Sequence, residues 1–512
     1  MPPESVCRPA LEPRRWFGLS PELPAETVRQ GRLAGLGVRF LRSPQAPLIG
    51  CAALLAVQIG PWWYSSIDSA SYLSMGRSLA SGAGPLNFGS RLWWYSPGYP
   101  ALISPLFLLD QRPFLWISVF QWLLAMGLLL GVYRWCQRFA PDGALWIVSL
   151  TAVNHGLWLH YRRPLSEIAF LCVLVWTAVV IKGLCWQGER RAFAWRLSCS
   201  AALVALLCVI RPVGIMLAPA IAAWIFCSRP PWRRAVVASL VLGAAAALPV
   251  ALFVLHERLT AAELGGRTYV DEFHEAAQTP LASWAAGVQM CISDIGRVCI
   301  PGLFKSHGTP GDWTDPNMLI HVPFLALICY GWRRWTVEQQ DPLAWYMPFY
   351  FILIAAHAID TGARLMLPLL PALLVCIWFA LRAAASWRRI VFAACLVLQL
   401  LAGGGYWLIH DLPQARELHR HWAEIDEVVA LLRADPGASV ESELPSELHL
   451  MLQLALDRPV PQRQPSGSAR ADWIVELRPC KTAGGPANAS PIGRCCLRRS
   501  TQEAPSLSTT FH

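Results

Sequence analysis

The chain has 512 residues, 55% of them hydrophobic and only 15% charged, with a mean hydropathy of +0.39. Soluble domains are usually nearer a quarter charged, so an ordinary soluble enzyme is excluded and the class is polytopic membrane protein. Twenty-five tryptophans agree, because Trp is favoured where a bilayer meets water. The 43 Lys+Arg against 33 Asp+Glu give a net charge of +10. That excess lies in short segments between apolar runs, not in one soluble basic face, which argues against nucleic acid as a partner. Sixteen cysteines include no pair or Cys/His cluster at zinc spacing.

Residues 1–45 read as a cytoplasmic basic tail, not a signal peptide: they are arginine-rich and have no short apolar core before a small-residue cleavage site. From Thr27 to Leu41 an amphipathic helix is predicted, with Val28, Leu33, Leu36 and Phe40 apolar and Arg29, Arg32, Arg39 and Arg42 basic. Such a helix suits an anionic membrane surface; a tail that only sets topology is the alternative.

Apolar runs of spanning length, about 20 residues, follow at 46–62, 113–133, 143–160, 165–185, 234–255, 318–333, 343–360, 365–382 and 390–409. The run from Leu197 to Cys227 is too long for one helix and is read as two short spans turning at Arg211-Pro212, which makes eleven transmembrane helices. With the tail inside, alternate connections carry Arg134 and Arg138; Lys182, Arg190, Arg191 and Arg196; Arg229, Arg233 and Arg234; Arg333 and Arg334; and Arg382, Arg388 and Arg389. That matches the Lys/Arg bias of cytoplasmic loops. The N-terminus is then cytoplasmic, and residues 63–112, 256–317 and the tail from about 410 are external.

The expected organisation is an all-α transmembrane region over 46–410, a small soluble α/β domain over 411–478 and a loose end over 479–512. Within that domain, Gln414–Ala434 and Ser446–Leu456 read as helices, and Ala438–Glu441 and Asp472–Leu477 as strands. Cys291 with Cys299, or Cys480 with Cys495 or Cys496, are candidate external disulfides, free thiols being the other reading.

Ionisable groups at membrane depth are functional candidates, and Asp68, Glu167, Arg211 and Arg364 all fall at the same external face. Asp68 opens a short helix ending at Gly82, where it is either an N-cap or a base. Two prolines and a glycine in Trp93-Trp94-Tyr95-Ser96-Pro97-Gly98-Tyr99-Pro100 argue against a regular helix there; its aromatics anchor at the interface or stack on a sugar. Glu167 follows Arg162-Arg163-Pro164 and either pairs with Arg163 or binds a metal or an acceptor hydroxyl. Arg211 marks a helix break, and its guanidinium fork suits a phosphate. Arg364 either pairs with Asp360 or does the same.

In Asp68-Ser-Ala-Ser-Tyr72 with Leu79-Ala-Ser-Gly82, Tyr95-Ser-Pro-Gly-Tyr-Pro100, Leu165-Ser-Glu167, Arg211-Pro-Val-Gly214 and Arg364-Leu-Met-Leu-Pro-Leu-Leu-Pro371, the chain resembles the GT-C integral-membrane glycosyltransferases. The resemblance is to their family 39-like, phospholipid-carrier-dependent group, which includes protein O-mannosyltransferases and the lipid A aminoarabinose transferase, and it covers about residues 45–410. It implies inverting transfer of a hexosyl or pentosyl group from a polyprenyl-phosphate donor to an acceptor at the external face. Asp68 would be the general base and Glu167 a second catalytic acid that orients acceptor or metal. Arg211 and Arg364 would hold the donor phosphate, with Lys305 and His307 as weaker candidates. Tyr72, Tyr95, Tyr99 and Arg163 complete the candidate substrate contacts. Many relatives carry a second acid where this chain has Ser69, which leaves dependence on a divalent metal open.

The implied partners are the donor, membrane lipids and a lipid, glycan or protein acceptor, in a plasma (inner) membrane. The alternative class is a secondary transporter or flippase for a lipid-linked or anionic substrate, in which such charges line a path near the midplane. No pair of matching halves is visible in the sequence.

Overall fold

The computed structural model describes residues 46–91, 95–184, 186, 189–228, 230–264, 271, 280–300, 318–357, 362–434, 440–442, 444–456, 458, 460, 473–479 and 493–499. The helix expected over Thr27–Leu41, together with Lys305, His307, Asp360 and Cys480, lies outside those residues.

Phe114–Cys136 shows how the apolar runs fold. Its 23 residues carry no charge before Arg134 in the last turn. Every backbone group away from the ends is bonded within the helix, as hydrocarbon requires, over about 34 Å at 1.5 Å per residue. The helix Glu167–Lys182 packs along it, and Trp176 Nε1 donates to Gly127 O at 2.9 Å.

Among the described residues, four helical stretches are long and apolar enough to cross a membrane: Phe114–Cys136, Arg190–Ile210, Trp232–Glu263 and the run beginning at Ala385. The bent pair His155–Arg162 and Glu167–Lys182 makes five if it counts as one span. Six shorter apolar helices accompany them, so the eleven expected spans are not all full-length helices.

Polar residues do the dividing. The expected span 143–160 is cut at Asn154, where Pro141–Val153 ends and His155–Arg162 begins. Asn154 Oδ1 caps the second helix by accepting from Leu157 N at 3.0 Å, while its Nδ2 donates to Val298 O at 2.6 Å. The short helix meets Glu167–Lys182 at 118°. The break expected at Arg211-Pro212 is present: Arg190–Ile210 ends at an extended Arg211, and a 3-10 turn over Pro212–Met216 leads into Leu217–Ser228.

The described residues of the segment 256–317 are largely helical. Trp232–Leu264 runs on past residue 255, and Pro280–Cys299 forms a further helix against Pro342–His357 and the 3-10 helix Gly362–Leu369. Gly287 permits the first of those contacts, since a Cβ there would run into the Ala355 carbonyl. Cys291 and Cys299 are buried free thiols.

At the end of these helices away from Glu167, Asp341 is fully buried. It accepts from Lys182 Nζ at 3.0 Å, Trp135 Nε1 at 3.1 Å and Leu343 N at 3.0 Å. The buried carboxylate is thus satisfied from three elements at once.

Beyond Ala385–Tyr406 the chain passes through one π turn, Trp407–Asp411, into the helices Leu412–Arg420, Trp422–Arg433 and Ser446–Leu456. Strand β1 (Val440–Ser442) pairs parallel with β2 (Trp473–Pro479), Val440 opposite Trp473. Strand β3 (Gly493–Arg499) lies in the stretch expected to be loose, yet it pairs antiparallel with β2 along its whole length. This part rests on the segment 63–112. Trp422 stacks on Phe114 and lies tilted against Trp63, Arg112 lies 4.2 Å over Trp422 and pairs with Asp426, and Arg77 Nη1 donates to Leu454 O at 2.7 Å.

Candidate active site

The helix Ile67–Ala80 carries Asp68 without using it as a cap. Ser66 is the N-cap: its hydroxyl accepts from Ser69 N at 3.1 Å, and Ser69 Oγ accepts from Ser66 N at 2.9 Å. With that reciprocal pair closing the helix end, the Asp68 carboxylate in the first turn turns outward to other elements. Tyr95 Oη donates to its Oδ1 at 2.5 Å, and Arg364 Nη1 binds its Oδ2.

Glu167 is the first residue of its helix and is fully buried. It pairs with neither Arg163 nor a neighbour on its own turn. Arg364 Nε binds its Oε1, and Arg211 Nη1 lies 3.1 Å from the same oxygen. Its Oε2 has no hydrogen-bond partner among the described residues. Arg364 therefore bridges the two carboxylates, Asp68 through Nη1 and Glu167 through Nε. Four groups separated widely in the sequence are brought to one point.

Arg211 reaches that point because its backbone is extended at the break. Behind it, the Ser-Pro-Gly stretch is docked on the last turn of Arg190–Ile210. Ser96 Oγ donates to Val209 O, and a Cβ on Gly98 would come within 2.7 Å of Ile210 N and closer still to the Val209 carbonyl. Contrary to the expectation of irregular chain, Gly98–Ile103 is helical. Pro100 is tolerated because it falls in the first turn, where an amide N–H has no intrahelical acceptor.

The tyrosines divide by layer. Tyr95 is half-buried beside Asp68, and burial, then the Asp68 charge, push its phenol well above the ordinary range, so it stays a donor to the carboxylate. Tyr72 is buried with its hydroxyl 3.0 Å from Ser166 Oγ, and burial pushes its pKa up to about 12. Tyr99 is completely buried and accepts from Gln121 Nε2 at 2.6 Å. Tyr72 and Tyr99 support the site from behind and offer no ring face to a substrate. The Arg163 side chain has no carboxylate partner among the described residues; its carbonyl accepts from Leu165 N at 2.7 Å.

Several residues here escaped the sequence reading. Gln121, which also donates to Leu165 O at 3.0 Å, ties the turn before Glu167 to Phe114–Cys136; a lone amide in an apolar run was its signal. Ser96 and Ser166 fall within the motifs Tyr95–Pro100 and Leu165–Glu167, but spacing alone assigned neither a role. Among the described residues no group of three His, Cys, Asp or Glu side chains is placed to hold a metal ion. A guanidinium occupies the position between the carboxylates that a bridging cation would take, so these residues in this arrangement do not fit a metal.

No family model matches the sequence, and no curated protein sequence matches it. The fold is matched by solved structures. One is the archaeal oligosaccharyltransferase AglB from Archaeoglobus fulgidus, in complex with an inhibitory peptide and a dolichol-phosphate. It is 11% identical with a TM-score of 0.51, over 84% of this chain and 69% of that one. A structure of an Archaeoglobus fulgidus oligosaccharyltransferase in complex with Zn and sulfate gives the same identity and TM-score over 84% and 68%. ArnT from Cupriavidus metallidurans in the apo state is also 11% identical with a TM-score of 0.51, over 84% of this chain and 87% of that one. The chain shares the fold of these proteins.

Proposed function

We propose that this protein is an inverting glycosyltransferase, moving a sugar from a polyprenyl-phosphate carrier to an acceptor hydroxyl at the external membrane face. The observation that carries the reading is the Asp68–Arg364–Glu167–Arg211 cluster, two carboxylates and two guanidiniums gathered from four segments. The shared fold supports a lipid-linked glycosyltransferase: one matched protein is bound to a dolichol-phosphate and a peptide.

The chemistry needs what the cluster contains. As the acceptor oxygen attacks the anomeric carbon, Asp68 takes its proton. The bond from that carbon to the phosphate oxygen breaks, and its electron pair stays on the phosphate. A phosphate leaving group requires positive charge at its oxygens more than a protonating acid, and Arg364 with Arg211 supplies it. Glu167 holds both guanidiniums from below, and its free Oε2 is an acceptor for a substrate hydroxyl. The residues present do not fit a metal. The N-terminus is cytoplasmic in this reading, and the membrane is the plasma membrane.

The test uses purified protein in nanodiscs, a panel of polyprenyl-phosphate sugars and envelope extract as acceptor. Release of free polyprenyl phosphate by wild type, lost in Asp68→Asn, is the expected result. No release and no donor binding across the panel would favour a transporter instead. Equal release by both proteins would remove Asp68 as the base.

A further inference from the structure

Both oxygens of the Asp68 carboxylate are occupied: Oδ1 by the Tyr95 hydroxyl and Oδ2 by Arg364 Nη1. Each oxygen already holds a strong donor, so an incoming acceptor hydroxyl finds Oδ2 committed to a cation. Tyr95 cannot relieve this by ionising, since burial and the Asp68 charge keep its phenol protonated. The removable partner is the arginine. Its Nε is anchored on the fully buried Glu167, while Nη1 rests on an Asp68 whose side chain is 17% exposed. Among the described residues Nη2 makes no hydrogen bond.

We infer that Arg364 is a latch on Asp68, released by the phosphate of the donor lipid, so that the site orders its substrates: donor first, acceptor second. The inference rests on the reading of Arg364 as a donor-phosphate group. A phosphate arriving at the guanidinium competes with Asp68 for the same N–H groups. Glu167 acts as a pivot that keeps Arg364 in place through Nε while Nη1 changes partner. Freed at Oδ2 and still oriented by Tyr95 at Oδ1, Asp68 becomes available as a base only once the leaving group is seated. The arrangement keeps the base masked while no donor is present.

The latch makes a prediction opposite in sign to a supporting role for Asp68 in donor binding. Asp68→Asn, nearly isosteric and uncharged, should bind a polyprenyl phosphate more tightly than wild type. The gain expected is roughly three- to tenfold, the size of losing one competing, partly exposed ion pair. Binding of a short-chain polyprenyl phosphate to nanodisc-embedded protein would be measured for wild type, Asp68→Asn, Arg364→Gln and the double variant, each checked for monodispersity. The gain should vanish in the Arg364→Gln background, because no arginine remains to be freed. A gain that persists there is simple relief of charge repulsion and overturns the latch, as does unchanged or weaker binding by Asp68→Asn. Absence of binding by both wild type and Asp68→Asn overturns the donor-lipid reading itself, and the latch with it.

Discussion

Arg162 and Asp411 form an ion pair with 2.6 Å between Nη2 and Oδ2, and their side chains are only 1% and 8% exposed. The pair joins the short helix that ends beside the candidate site to the π turn that follows Ala385–Tyr406. Arg162 Nε also donates to Trp158 O at 3.0 Å, and its guanidinium lies over the Tyr64 ring. π turns recur at functional positions, and this one aims Asp411 inward at the root of the C-terminal helices.

Removing one partner of such a pair leaves an uncompensated buried charge, which costs about 3–5 kcal/mol. Asp411→Ala should therefore lower the thermal unfolding midpoint markedly. The double variant Arg162→Met with Asp411→Leu should recover most of the loss, because it removes both charges. Detergent-free thermal unfolding of the three proteins checks this, and a double variant no more stable than Asp411→Ala would refute it.

Gly98→Ala tests how the Tyr95–Pro100 stretch positions Arg211. The added methyl meets backbone atoms of Val209 and Ile210, which cannot rotate away. Either the Gly98–Ile103 helix or the break at Arg211 must shift, and geometry errors near 1 Å cost about 100-fold in rate. Turnover should fall by about that factor while the protein remains folded. Gly82→Ala probes a different effect, since that glycine has a positive φ of 78° and open space around it. It should cost about 1 kcal/mol of stability and leave turnover close to wild type.

The two arginines are predicted to behave differently. Arg364 touches both carboxylates, whereas Arg211 lies 3.1 Å from Glu167 alone. Arg364→Met should abolish transfer and weaken binding of a polyprenyl phosphate about 100-fold, the scale of losing a charge-assisted contact. Arg211→Met should reduce turnover about tenfold and cost about 1–3 kcal/mol of stability, because buried Glu167 keeps only one cation. Equal losses of donor binding in both variants would show that the two guanidiniums share the phosphate evenly.

Much of this was legible because charge is rare at membrane depth. Asp68, Glu167, Arg211 and Arg364 stood out against apolar surroundings, and Pro212 announced the break that exposes Arg211. Local spacing could not assign their partners. Arg364 and Asp68 are 296 residues apart, and only the packing of the intervening helices decides that they meet. The capping question at Asp68 was open for the same reason: Ser66 and Ser69 offered a competing cap, and either choice satisfies the helix end. Asn154 interrupted an otherwise apolar run, but its capping bond needs the Val298 carbonyl of a distant helix to hold the other side of its amide. Strand β3 was hidden by its Gly-, Pro- and Ser-rich flanks, since pairing with β2 depends on a neighbour and not on its own composition.

The C-terminal part carries a pH dependence of predictable sign. His449, in Ser446–Leu456, is buried, and the Gln453 amide donates to its Nε2 at 3.0 Å, which requires that nitrogen unprotonated. Burial holds its pKa below the ordinary value, which is about 6.5 in the unfolded chain. Stability contributed by neutral His449 is therefore fully present above about pH 6.5 and is lost as the pH falls toward the folded-state value. Since Arg77 of the Asp68 helix donates to Leu454 O, loosening of this helix would release a tie to the site. Amide hydrogen exchange across Ser446–Leu456 should be faster at pH 5.5 than at pH 7.5, after correction for intrinsic rates. In His449→Leu the difference should disappear, because the apolar replacement has no proton to gain. Persistence of the full difference in that variant would assign the effect to another group.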